Sequence, residues 1–191
     1  MEKPLKNGPD TKIFAFLLAV RNAREAYILA RVGLIEGLCD TGCLLAQQCL
    51  ESCIKAALRI YWREIKESTG KDIDNFVRGH NLVGLMRRAL PYIPEYKKIL
   101  DDSQKKDFLN ELTKIYDSTR FGESGLSIDC LWSLRILDDL FSETLNLYRH
   151  HIKLPKQKIF VPKNLQMFFL ASNERFTAEE ISDNPLETLG S

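Results

Sequence analysis

At 191 residues, with 45% hydrophobic and 28% charged residues, the chain suits one domain with a real core and an appendage, or at most two small domains. A net charge of +1 excludes a global electrostatic attraction to nucleic acid, so such binding needs a local patch. No run approaches the ~20 apolar residues of a membrane span, and Ile13–Val20 is too short for a signal-peptide core, follows Asp10 and Lys12, and continues into an amphipathic helix.

Residues 1–10 hold two prolines, a glycine and mixed charges, and read as a flexible arm. A first helix is predicted from Thr11 to Leu38, with Phe14, Leu17, Leu18, Ala26, Ile28, Leu29 and Val32 as apolar positions and Gly33 and Gly37 weakening its end. Asp40-Thr41-Gly42 offers capping oxygens to a second helix running to Ser68, stopped by Thr69-Gly70. One face of it collects Cys43, Ala46, Cys49, Leu50, Cys53, Ala57 and Ile60, a wide stripe of mainly small residues that lets other helices approach closely. Gln47, Gln48, Glu51 and Lys55 gather beside that stripe, which places this helix at the centre of the fold.

Lys71 to Arg78 is a loop or short helix anchored by Ile73, Phe76 and Val77. Gly79-His80-Asn81 starts a third helix with Leu82, Leu85, Met86 and Ala89 inward, ended by Pro91 and Pro94. A fourth helix, Ile99 to Thr119, takes Ser103 as its cap and turns Phe108, Leu109, Leu112, Ile115 and Tyr116 inward. A fifth, Asp129 to His151, buries Leu131, Leu134, Leu137, Phe141, Leu145 and Tyr148. In residues 153–191, three prolines, a short extended run Ile159-Phe160-Val161 and a helical turn or two over Leu165–Leu170 read as a docking tail with a disordered end. The fold class is therefore all-α: an antiparallel up-and-down bundle of about five helices over residues 11–152, with an irregular C-terminal tail.

The five cysteines, Cys39, Cys43, Cys49, Cys53 and Cys130, are odd in number and sit on apolar helical positions, which reads as free thiols in a reducing compartment, the cytoplasm. If one helix carries the first four, its rise separates Cys39 from Cys53 by about 21 Å, too far for one shared metal, and no metal site is expected.

Three pieces in order resemble the HEPN family of all-helical domains, across roughly residues 11 to 151: Ala46-Gln47-Gln48 through Glu51 to Lys55-Ala56, then Gly79-His80-Asn81-Leu82 with Leu85, then Tyr116 through Arg120-Phe121. The resemblance implies a bundle of about five helices, often a homodimer, and a role among RNA-cleaving toxins, non-catalytic companions of minimal nucleotidyltransferases, or nucleotide-binding modules. The cleaving branch carries an Arg followed four to six residues later by His. Here Arg135 has no such His, and Arg149 is followed at once by His150 and His151. The expectation is a non-catalytic module that binds a nucleotide or a partner protein, with no other cofactor. The alternative is a metal-independent ribonuclease using His80, Arg149, His150 and His151.

The expected ligand-binding residues are Glu51, Lys55, His80 and Arg120. His80 opens a helix, where backbone amides and the dipole favour an anion; equally, its ring bonds across the helix start and fixes the loop to the bundle. Arg120 grips a phosphate in one reading and caps a helix end or pairs with a carboxylate in the other. Glu51 and Lys55 form either a surface ion pair or part of a cleft shared with His80 and Arg120. Arg149-His150-His151 also suits a helix C-terminus on charge alone. Arg87-Arg88, Lys97-Lys98 and Lys105-Lys106 make the best basic patch, and runs of this kind are mostly solvated faces.

Overall fold

The computed structural model describes residues 9–121, 129–152 and 158–184, with side chains from Leu18 onward except at 119–121, 149 and 152. Helices α1 (Pro9–Ile35) and α2 (Cys39–Ile60) form a hairpin. Gly37 adopts a left-handed φ of +77°, which ends α1, and the Leu38 amide donates back to the Gly33 carbonyl at 2.8 Å. The helices touch at Gly33 and Gly42. A Cβ on Gly42 would lie 2.7 Å from Leu34 Cγ and 2.9 Å from the Leu34 backbone nitrogen. Gly42→Ala is therefore expected to lower stability by about 1–3 kcal/mol in chemical denaturation, whereas an ordinary helical Gly→Ala gains about 1 kcal/mol. A stabilised variant would disprove the close contact.

The chain continues through α3 (Trp62–Thr69), α4 (Ile73–Phe76), α5 (Leu82–Ala89), α6 (Tyr96–Asp101), α7 (Ser103–Phe121) and α8 (Cys130–Ile152). The all-α bundle stands, with α2 packed against α1, α5, α7 and α8. Cys43, Ala46, Cys49, Leu50, Cys53 and Ala57 are all at most 2% exposed, so the small-residue stripe is the centre of the core.

Several boundaries differ from the sequence reading. Helix α2 starts at Cys39, with Leu38 at its cap and no side chain capping it. It does not run to Ser68. At Tyr61 the amide donates to the Leu58 carbonyl, one residue short of the helical partner, and α3 restarts at Trp62. The predicted fourth helix is interrupted at Asp102, whose carboxylate accepts from the Lys105 amide at 3.1 Å, so Asp102 caps α7 rather than Ser103. Helices α5 and α8 start where the sequence places them and carry side-chain caps: Asn81 accepts from the Gly84 amide at 2.6 Å, and Asp129 from the Trp132 amide at 2.7 Å. Leu131, expected inside, is 72% exposed, on the side of the first turn of α8 away from buried Ser133. Leu18 and Leu29 are exposed as well, and Tyr116 is half-buried.

The thiol reading is corrected. Cys39 and Cys130 form a disulfide across 91 residues, with Cα atoms 5.2 Å apart. Cys43, Cys49 and Cys53 are free and buried.

Past α8, residues 158–184 lie on the bundle. Strand β1 (Ile159–Phe160) pairs in parallel with β2 (Ile181–Ser182), Ile159 opposite Ile181, and helix α9 (Gln166–Leu170) lies between them. Val161 and Phe169 are fully buried. The Arg31 guanidinium, also fully buried, binds the Asp138 carboxylate of α8 and the carbonyls of Phe168 and Ala171. Tyr27 donates to the other Asp138 oxygen at 2.7 Å and accepts from Asn173 at 3.2 Å. Burial holds the Asp138 carboxyl above its ordinary range despite Arg31 and Tyr27. The predicted arm up to residue 8 and the stretches 153–157 and 185–191 lie outside the described residues.

Candidate functional site

Gln47, Glu51 and Lys55 succeed one another at four-residue steps on α2, so their side chains share one edge of that helix. Lys55 Nζ meets Glu51 Oε1 at 2.6 Å. Glu51 Oε2 accepts from Gln47 Nε2 at 2.7 Å and lies 3.0 Å from His80 Nδ1. The same Gln47 nitrogen also reaches the His80 carbonyl at 3.3 Å, which fixes the orientation of its amide. Its oxygen is buried without a partner. The His80 ring stacks on Tyr116 of α7 at 4.4 Å between centroids, with Nε2 3.4 Å from the phenol oxygen.

Gln47, Glu51, His80 and Tyr116 line an open cleft of about 390 Å³ together with Asn22, Ala26, Gln48 and Ser52, and Lys55 joins it only through its pair with Glu51. Three of the four predicted ligand residues therefore meet: Glu51, Lys55 and His80. The fourth, Arg120, has its side chain outside the described residues. The ion pair and the histidine form one network, so the two readings of Glu51 merge. His80 ties the α4–α5 loop to α2 and α7, and its side chain stays 42% exposed to the cleft. The start of α5 has few amides to spare for an anion: Gly84 is capped by Asn81, and the Leu82 amide donates to Thr113 Oγ1 at 3.4 Å.

Burial alone would raise the Glu51 carboxyl, but bonds from Lys55, His80 and Gln47 outweigh it and hold the carboxyl below its ordinary 4.5. A carboxyl depressed in the fold contributes stability at pH values above its ordinary pKa and loses it as pH falls through the folded value. Glu51→Gln is thus expected to cost about 1–3 kcal/mol at pH 7 and to show a flatter stability profile below pH 4.5 than the parent. Parallel profiles in urea unfolding would refute that assignment.

The residues of the ribonuclease alternative do not come together. His151 Nδ1 lies 2.5 Å from the Tyr61 hydroxyl, and its Nε2 is 3.5 Å from Glu95 Oε2. Tyr61 follows Glu51 by ten residues, about 15 Å along α2, so His80 and His151 belong to separate clusters. His150 is exposed beside His151, and the Arg149 side chain lies outside the described residues. In the basic patch, Arg88 donates to the Arg78 carbonyl and Lys105 pairs with Glu143. No group of three or more metal-ligating side chains clusters among the described residues. None of their helices is long and apolar enough to cross a membrane.

In the sequence Gln47 stands beside the small-residue stripe and Tyr116 among the inward residues of its helix, while Asn22 and Ser52 do not stand out. The signal for Gln47 was its four-residue step from Glu51. Asn22 and Ser52 carried no such signal, since only the α1–α2 crossing brings them to the cleft.

The model of the HEPN domain family matches residues 17–127, from within α1 through α7. No curated protein and no solved structure gives a match.

Proposed function

The chain belongs to the HEPN domain family, and we propose that it is a non-catalytic member, a binding module whose ligand is a nucleotide and whose cleft is the one lined by Glu51 and His80, with Lys55 paired to Glu51. One observation carries this reading: His80 is held between a carboxylate and a tyrosine ring while part of it still faces an open polar cleft. Around it, the amides of Asn22, Gln47 and Gln48 and the hydroxyls of Ser52 and Tyr116 supply donors and acceptors for a polar heterocycle. The missing Arg-to-His spacing supports the non-catalytic branch. Arg120 belongs to the proposed site as its phosphate-facing residue. A homodimer, a nucleotidyltransferase companion and a cytoplasmic location are parts of the same proposal.

A thermal-melt panel of nucleotides tests it, run beside RNA incubation in chelator. At least one nucleotide is expected to raise the melting temperature of the parent in a saturable way, and His80→Leu is expected to lose that shift. RNA is expected to stay intact. RNA cleavage abolished by His80→Leu would replace the reading with an enzyme, and a flat panel would remove the nucleotide.

A further inference from the structure

We propose that Cys39 and Cys130 form a thiol-exchange site, through which a small thiol–disulfide couple of the glutathione type opens and closes the end of the bundle where α2 and α8 begin.

The five cysteines fall into two classes. Cys43, Cys49 and Cys53 are at most 1% exposed. Burial pushes the Cys43 thiol up, and the Cys49 thiol far up, which leaves little thiolate to react. Cys39 and Cys130 are half-buried, and their bridge lies at the exposed end of α2 and α8 rather than in the core.

The surroundings of the bridge are unlike the core. Leu38 and Leu131, each next to a bridged cysteine, are 60% and 72% exposed. Asp40, Thr41 and Asp129 are exposed too. One turn further in, Gly42, Cys43, Ser133 and Leu134 are buried, and Cys43 Sγ lies 3.8 Å from Ser133 Oγ. The bridge therefore holds two first turns that side-chain burial scarcely holds, while the layer beneath keeps α2 and α8 together when it opens.

The chemistry closes on itself. A small thiolate attacks one bridging sulfur, the Sγ–Sγ bond breaks as the mixed disulfide forms, and the other cysteine leaves as a thiolate. A second small thiolate attacks the mixed disulfide, frees the remaining cysteine and departs as the symmetrical disulfide. Two electrons pass to the protein, and the protons given up by the two small thiols end on the two cysteines. The reverse sequence closes the bridge.

The test uses the full chain in buffers of graded reduced-to-oxidised glutathione ratio, quenched with an alkylating reagent and read by mass spectrometry and hydrogen exchange. The expected result at intermediate ratios is one glutathione adduct, on Cys39 or Cys130. At reducing ratios those two cysteines alone are alkylated. Exchange of the Gly42, Trp132 and Ser133 amides, which have acceptors in those turns, rises about tenfold while residues 138–148 keep their protection, and oxidised glutathione reverses the change. The variant Cys39→Ser/Cys130→Ser is expected to exchange fast in those turns at every ratio. A bridge that survives until the protein unfolds, alkylation of all five cysteines together, or a double-serine variant as protected as the oxidised parent would each overturn the proposal.

Discussion

Arg31→Met is expected to lower the stability of the protein by about 3–5 kcal/mol, the penalty for leaving a buried charge without its partner. Arg31 is fully buried and binds Asp138, Phe168 and Ala171 at once. Its loss orphans the carboxylate and two carbonyls, which join α1, α8 and the C-terminal segment. Urea unfolding measures the loss, and hydrogen exchange should find it concentrated in residues 158–184. The effect should shrink in acid, because an unpaired buried carboxyl takes up a proton more readily in the fold than in the unfolded chain, and the penalty belongs to its charged form. Arg31→Met/Asp138→Leu is expected to recover much of the stability, since a buried pair replaced by apolar groups of similar size is often neutral. A single variant as stable as the parent would show that the pair contributes nothing.

Removing the disulfide as Cys39→Ser/Cys130→Ser is expected to cost about 3–4 kcal/mol, because the bridge closes a long loop, with 91 residues between its ends, in the unfolded chain. The parent in reductant should match the variant. Guanidinium unfolding supplies the number, and the near-UV spectrum without denaturant should remain that of the folded protein. A midpoint unchanged by reductant would mean that the bridge does not restrict the unfolded ensemble.

The helices were legible where local chemistry decides them. Asn81 and Asp129 are capping residues followed by apolar periodicity, and both cap helices that start where the sequence places them. The break at Tyr61 was not legible: no glycine or proline marks it, and its cause lies partly in His151, 90 residues away, which holds the Tyr61 hydroxyl. Leu131 misled because apolar periodicity does not tell which side of the first turn of α8 its neighbours cover: Ser133 is buried there and Leu131 is exposed. Gly33 read as a weak point of the first helix and Gly42 as part of the cap of the second, and together they are the surface where those helices meet. In the cleft, the step from Glu51 to Lys55 is a local rule and could be read. His80 came from its motif, whereas its stacking on Tyr116 requires α5 and α7 to be placed first. Arg31 carried no signal at all: a single arginine on an amphipathic helix reads as solvated until its distant carboxylate is known. The pairing of Cys39 with Cys130 is equally a product of topology, invisible in a count of five.

The Arg31 clamp also constrains the order in which the protein is made. Asp138 follows Arg31 by 107 residues, and the Ala171 carbonyl follows it by 140. At a synthesis rate of about 5–20 residues per second, α1 waits on the order of 5–20 s for its counter-charge. Throughout that interval the guanidinium keeps its water, so the face of α1 that carries Arg31 stays open as the chain emerges. The segment that carries Phe168 and Ala171, not the first helices, thus completes the lock on the nascent protein.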